Sequence, residues 1–263
     1  MTTTRSPHPI HRSERTNVVP LFRQQPPAST EDWHADFAIR AGAHTDVTTS
    51  GMWILAPVVH DGLRRSLPTF QLGEMGTGWH LTKMAARTGD LHYLEAIRYF
   101  VAEEQEHARL LALVCDALDI DMIQEHWTDA VFQRARRICG LRAEVLILLV
   151  AEVVSSRFYE ILATGVGDPT LARLFARIHA DEVRHLDFHA ATLPAHLQQW
   201  SPAPRRFART VWNATAIGAA AVVAWDHRKL LRACNSGPVR FFRDCTQRIR
   251  STDARFFNPS EGD

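Results

Sequence analysis

Cysteine is scarce in this chain, and its spacing excludes several classes of protein. The four cysteines lie far apart in the 263 residues, at Cys115, Cys139, Cys234 and Cys245, and no two of them form a C-x-x-C pair. A disulfide framework or a zinc or rubredoxin-type knuckle would need closer, paired cysteines. We therefore expect reduced thiols.

An excess of charge and a long hydrophobic run are also missing. Lys and Arg total 30 against 29 for Asp and Glu, so the net charge of +1 favours neither nucleic acid nor an anionic membrane as partner. The longest uncharged run, Thr210–Trp225, has 16 residues, fewer than the roughly 18–20 of a membrane-spanning helix. We expect a buried or interface helix there rather than a membrane-surface element.

The first thirty residues are basic and rich in Pro, Ser and Thr, without the apolar stretch of a signal peptide. Residues 1–30 are therefore predicted to form a flexible arm, and residues 31–263 a single domain. Together with the unpaired cysteines, this predicts a cytoplasmic protein.

Apolar periodicity predicts an all-α fold, because alternation typical of strands appears nowhere at length. The predicted helices cover about residues 66–86, 90–118, 142–163 (with a start as early as 128 left open), 169–192, 203–233 and 238–251. Ser66 and Pro68 are interpreted as the start of the first helix, and Pro194 as the end of the fourth.

Histidine is abundant, with 14 residues, and two histidines stand in matching motifs. The chain reads Glu-Glu-x-x-His at residues 103–107 and Asp-Glu-x-x-His at residues 181–185. Positions i and i+3 share one face of a helix, so each motif presents a carboxylate and an imidazole to one point. A single copy is weak evidence, since Glu and His also occur together on solvated faces.

Two further glutamates strengthen the signal. Glu74 precedes Glu104 by 30 residues, and Glu152 precedes Glu182 by 30 residues. The midpoints are Gly89 and Gly167, each in a break between helices. In an antiparallel hairpin, residues equidistant from the turn lie at the same height, here roughly 22 Å from it. Four carboxylates and two imidazoles would then meet if the two hairpins pack side by side.

The sequence around Glu152 also favours a metal site. It is the only charged residue between Val145 and Ser156, and an unpaired carboxylate in a hydrophobic core would cost several kcal/mol or become protonated. Metal coordination resolves this cost. The alternative is a protonated Glu152, or one paired with Arg142 or Arg157.

Three glycines, Gly73, Gly76 and Gly78, surround Glu74 in the first predicted helix. Each costs about 1 kcal/mol relative to alanine in a helix. Either they leave space for a substrate, for dioxygen or for a close helix, or the helix is irregular here.

These motifs resemble those of the ferritin-like di-iron carboxylate proteins, in which two helices each give one Glu and two each give a Glu-x-x-His. The resemblance covers about residues 66–193 and implies a four-helix bundle, with additional N- and C-terminal helical segments outside it. The six implied metal ligands are Glu74, Glu104, His107, Glu152, Glu182 and His185. The implied cofactor is two iron ions, with Mn/Fe or manganese as alternatives.

The resemblance also implies supporting residues. Asp181 would hydrogen-bond His107, and Glu103 would hydrogen-bond His185. Ser156, one turn after Glu152, would assist dioxygen activation, unless its hydroxyl only bonds the preceding turn. His189, one turn after His185, would be a pocket residue or an extra ligand; in p-aminobenzoate N-oxygenases the extra histidine occupies the position of Ile178 instead.

Other branches of the family fit less well. Rubrerythrin-like proteins carry a cysteine-ligated iron, which the absence of C-x-x-C excludes. The radical tyrosine of ribonucleotide reductase small subunits is replaced here by Leu111. We therefore expect a homodimeric oxidase or oxygenase that uses dioxygen and an external electron donor on a small organic substrate. The alternatives are a ferroxidase or metal-storage protein, and a structural metal-binding bundle.

Overall fold

A computed structural model describes residues 25–41, 53–126, 141–197 and 200–257. These residues form helices and contain no strand, as the sequence predicts. The helices are α1 (Thr30–Ala41), α2 (Pro57–Glu74), α3 (Trp79–Ala86), α4 (Leu91–Ala117), α5 (Leu141–Gly165), α6 (Pro169–Leu197), α7 (Pro202–Asp226), α8 (Arg228–Ala233) and α9 (Pro238–Phe257). Residues 1–24 of the predicted arm (residues 1–30), and a start of α5 at residue 128, lie outside the described residues.

The helix α2 begins nine residues earlier than predicted. Pro57 occupies its first turn, and Pro68 lies in its interior. Ser66 is not a cap, because its hydroxyl contacts the ring of His227 at 2.9 Å. The local Ser-x-Pro signal was misleading because Val59, Leu63 and other apolar residues before it bury one continuous helix face.

The first predicted helix is broken in two between Glu74 and Trp79. Gly78 ends the break with φ +62°, a left-handed conformation that favours glycine. A Cβ on Gly78 would come within 2.4 Å of the side chain of Val101 on α4. The glycine cluster therefore marks both an irregular backbone and a close helix approach, and Glu74 becomes the last residue of α2.

The two predicted hairpins are present. Asp90 caps α4 by accepting a hydrogen bond from the Tyr93 amide at 2.9 Å, and Asp168 caps α6 by accepting from two backbone amides. The helix α2 packs on α4, α5 packs on α6, and α4 contacts α6. The helix α6 continues through Pro194 to Leu197, so the predicted stop at that proline is wrong.

The flanking helices cover this four-helix core. Trp33 and Phe37 of α1 are fully buried, and both pack against the ring of Phe188 on α6. The helix α9 is joined to α5 by ion pairs, with Arg248 contacting Glu160 and Arg157 contacting Asp244. The core therefore extends beyond the segment that carries the motifs.

The helix α7 presents one face to the protein and one to solvent. Its buried face repeats every four residues and consists of Trp212, Ala216, Ala220 and Ala224, and the Trp212 ring nitrogen donates to the carbonyl of Leu146 on α5 at 2.9 Å. Among the described helices, α7 is also long and apolar enough to cross a membrane by length and composition alone, and 22% of its most apolar window is buried.

Candidate metal centre

The six side chains predicted as ligands come together in the core. They are contributed by the end of α2 (Glu74), by α4 (Glu104 and His107), by α5 (Glu152) and by α6 (Glu182 and His185). They form two overlapping groups that could each hold a metal ion, the first Glu74, Glu104, His107 and Glu182, the second Glu104, Glu152 and His185. Within each group the ligand atoms lie within 4.8 Å of one another. Glu104 belongs to both groups and could serve as a ligand in either.

Both histidines point one ring nitrogen inward and the other outward. The inward Nδ1 of His185 lies 3.1 Å from Glu104, and that of His107 lies 3.5 Å from Glu182. The outward Nε2 of His107 contacts Asp181 at 3.3 Å, and that of His185 contacts Glu103 at 2.9 Å. These are the contacts that the resemblance implies. A carboxylate on Nε2 keeps the proton there, which leaves the Nδ1 lone pair available to a metal ion.

Arg184 links the two supporting carboxylates, a contact that the motifs alone did not predict. Its side chain is buried, and its Nη2 donates to both oxygens of Glu103 at 2.7 and 2.8 Å and to Asp181 at 2.6 Å. One buried guanidinium therefore holds the two acids that hold the two histidines. The only signal in the sequence is its position beside His185 in the second motif.

Burial and the mutual repulsion of the carboxylates shift the pKa values of the glutamates in the cluster. Burial raises the pKa of Glu74 well above its usual value, and the nearby carboxylates of Glu104 and Glu182 raise it further. Burial also raises the pKa of Glu152. For Glu104, burial acts in the same direction, but the neighbouring imidazoles of His185 and His107 lower its pKa to about 2. Without a cation, the cluster therefore retains protons to reduce its own charge.

The donors of the cluster fit metal ions. Both oxygens of Glu152, one oxygen of Glu104 and the Nδ1 atoms of His107 and His185 are buried without a hydrogen-bond partner. A buried polar atom without a partner costs about 1–3 kcal/mol. Coordination to a cation would satisfy all of these atoms at once. Four carboxylates and two imidazoles suit iron or manganese.

The expectation for Ser156 needs correction. Its hydroxyl donates to the Val153 carbonyl at 3.1 Å and accepts from Arg248 of α9 at 2.9 Å, so it faces away from the cluster. The neighbouring Ser155 faces the cluster instead and donates to a carboxylate oxygen of Glu182 at 2.9 Å. The hydroxyl beside the site is therefore that of Ser155.

Tyr159 is a second residue that sequence reasoning did not assign to the site. It is fully buried, and its hydroxyl donates to Glu74 at 2.8 Å. Burial and the charge of Glu74 raise the pKa of this phenol well above its usual value, so it remains protonated. Tyr159 therefore orients Glu74, whose position at a helix end gives it less backbone support.

His189 lies beside the cluster without contacting it by a hydrogen bond. It packs between the rings of Phe100 and Phe188 at 5.0 Å from each, and neither ring nitrogen has a hydrogen-bond partner. Burial lowers its pKa to about 3, so the ring is neutral. His189 belongs to neither group of candidate ligands.

A cavity of about 330 Å³ leads to the carboxylates. Side chains of Glu74, Glu104, Glu152, Glu182 and Ser155 line its inner end. Its walls come from α2, α4, α5 and α7 and are mostly apolar. A volume of this size suits a small organic molecule.

No protein-family model matches this chain, and no curated protein matches it in sequence. Its function is therefore inferred from the residues of the site.

Proposed function

We propose that this protein is an oxidase or oxygenase with a carboxylate-bridged dinuclear metal centre in a ferritin-like bundle. The observation that supports this most directly is the pair of ligand groups that share Glu104 at the inner end of an apolar cavity. Iron is the proposed metal, with a mixed Mn/Fe pair or manganese as alternatives.

Two redox-active ions at this site would supply two electrons to dioxygen, which amino-acid side chains alone do not do. For insertion of one oxygen atom, the overall balance is R–H + O₂ + 2 e⁻ + 2 H⁺ → R–OH + H₂O. The electrons come from an external donor. The substrate is a small organic molecule held in the cavity.

Four further residues would hold the candidate ligands in position. Asp181 and Glu103 fix the orientation of the two histidines, and Tyr159 fixes Glu74. Ser155 donates to Glu182 at the end of the cavity, where a hydroxyl can also donate a proton to a bound small molecule. The apolar walls keep bulk water away from the reacting atoms.

The cavity favours this proposal over a ferroxidase or metal-storage function. A hydrated iron ion would have to enter through mostly apolar walls, which offer few oxygen ligands before the cluster itself. A purely structural metal site has no need of a cavity that ends on its ligands, because such sites are closed.

The test is to count metal ions and dioxygen turnover on the same preparations. We expect about two iron or manganese ions per chain, by mass spectrometry, in protein produced with both metals supplied. Glu152→Gln should lose most of this metal. Glu95→Gln is the matched control, since the Glu95 side chain on α4 is 40% exposed and pairs with Arg98, away from the cluster.

Three outcomes separate the candidate functions. An oxidase or oxygenase holds about two ions and consumes dioxygen when a reductant is supplied. A storage protein elutes as a very large assembly and accumulates many irons per chain. A structural site holds metal without consuming dioxygen, and absence of metal from a folded wild type would contradict every metal-based function.

A further inference from the structure

The helix α7 forms one wall of the cavity, and its direction relative to α5 follows from two contacts. The Trp212 ring donates to Leu146, and a Cβ on Gly165 would lie 2.5 Å from the side chain of Cys234. The chain from α7 to α8 therefore runs parallel to α5, at an offset of 66 to 69 residues. Glu152 is then level with the region of residues 218–221 on α7.

One end of the cavity is polar. His126, Asp226 and His227 line it, at the end of α7. Asp226 lies five to eight residues beyond the level of Glu152, which corresponds to about 10 Å along the helix. The space between them is lined by apolar side chains, including Phe70, Val222 and Val223. The side chain of Asp226 is exposed, so it lies where the cavity meets solvent. A molecule in this cavity would have its body among the apolar side chains and one end at Asp226.

The charges of the lining have one sign. Among the described residues, five carboxylates line the cavity and no lysine or arginine does. Two divalent ions would balance the four glutamates of the cluster. Asp226 is then the one carboxylate of the described lining outside the cluster, and it is the last residue of α7, where the helix dipole adds further negative potential.

The neighbours of Asp226 do not remove this charge from the cavity. Burial lowers the pKa of His227 to about 4, so its imidazole is neutral, and its ring contacts Ser66. The nearest arginine in sequence, Arg228, donates to the Trp225 carbonyl at 2.6 Å and stacks on the Trp225 ring, outside the cavity lining.

We propose that the substrate is a hydrophobic amine whose ammonium group lies at Asp226 and whose apolar chain extends to the metal centre. This inference rests on the proposed function, which supplies the two ions and makes the inner end of the chain the position of oxidation. A carboxylic acid of the same length would find no lysine or arginine among the described lining residues and would be repelled by Asp226.

The first experiment compares three ligands that differ only in their head group. Binding of n-octylamine, n-octanol and n-octanoate to the Mn²⁺-loaded protein is measured by calorimetry, without dioxygen and at pH 8. We expect the amine to bind most tightly and the acid about tenfold more weakly. Lengthening the amine from hexyl to octyl should tighten binding by about fourfold per methylene.

Substitutions on α7 test where the ammonium group and the apolar chain of the ligand lie. Asp226→Asn should weaken binding of the amine by about two- to fivefold and leave that of the alcohol unchanged. Asp116→Asn, at an exposed position on α4 outside the cavity, should change neither. Ala219→Phe, in the cavity wall, should weaken all three ligands, whereas Ala221→Phe on the exposed face of the same helix should not.

The outcomes distinguish this inference from the proposed function. Equal binding of acid and amine, or an amine-to-alcohol ratio that Asp226→Asn leaves unchanged, would overturn the inference alone. The expected order of binding in a protein that never consumes dioxygen would support the assignment of the cavity and overturn the oxidase. If Ala219→Phe fails to fold, the three head groups and the Asp226→Asn variant still test the inference.

Discussion

Replacing Arg184 by methionine tests whether the supports of the two histidines form one connected unit. The arginine is 1% exposed and makes three contacts of 2.6 to 2.8 Å with Glu103 and Asp181. Methionine retains much of the side-chain volume but leaves two carboxylates buried without their cation. Removing one partner of a buried ion pair costs about 3–5 kcal/mol.

The free energy of unfolding should therefore fall by about 3–5 kcal/mol at pH 7, measured by urea denaturation with circular dichroism. The matched control is Arg98→Met, which removes an exposed pair between Arg98 and Glu95 on α4. An exposed pair contributes about 0–1 kcal/mol. The double variant Arg184→Met/Glu103→Gln should recover part of the loss, because it removes one of the two unpaired charges.

The pH dependence gives a second, independent signature. Burial opposes ionisation of Asp181, but the hydrogen bond and charge of His107, followed by the charge of Arg184, lower its pKa below the usual value. A lowered pKa contributes stability above the unfolded-state value and loses it as the pH falls. The difference between wild type and Arg184→Met should therefore shrink as the pH falls below about 4. A cost at pH 7 no larger than that of Arg98→Met would refute the reasoning.

Three further predictions concern single positions. Gly78→Ala should lower the free energy of unfolding by about 2–4 kcal/mol, because the new Cβ meets α4 in a left-handed backbone; Gly89→Ala, at φ +78° with nothing within 4 Å, should cost only about 1 kcal/mol in the same denaturation assay. Ser155→Ala should slow reductant-dependent dioxygen consumption more than about tenfold, whereas Ser156→Ala should leave the rate per metal pair unchanged; the reverse order would return the role to Ser156. Burial raises the pKa of Cys245 to about 12, so at pH 8 iodoacetamide should label it in native protein at least about a hundredfold more slowly than in urea, by peptide mass spectrometry.

The clustering of the six side chains could be predicted because it depends mainly on regular helix geometry. The spacing of Glu104 and His107 places both on one face of any α-helix, and the 30-residue distance to Glu74 requires only that two helices pack antiparallel. The break at residues 75–78 lies between Glu74 and the turn at Gly89, so helical rise alone does not set the height of Glu74, which nevertheless joins the cluster. The grouping of the six side chains follows from these two local rules, applied twice.

The choice between Ser155 and Ser156 depends on the rotation of α5 about its axis. Relative to Glu152, the two serines project about 60° to one side and about 40° to the other, so spacing does not separate them. The difference is set by Arg248, 92 residues beyond Ser156, whose guanidinium takes the Ser156 hydroxyl and turns that face towards α9. No pattern within α5 carries that information.

The cavity, like the orientation of the two serines, could not be predicted from local sequence patterns. A Cβ on Gly73 would have nothing within 4 Å, so the missing side chain leaves open space beside Glu74. From the sequence, that glycine was equally consistent with an irregular helix end. What makes the space a bounded cavity is α7, more than 120 residues downstream, which closes one wall with Ala219 and Val223 and ends at Asp226. The sequence around Gly73 indicates space beside Glu74. What that space can bind depends on the distant helix α7, which encloses it, and on the charge at the end of that helix.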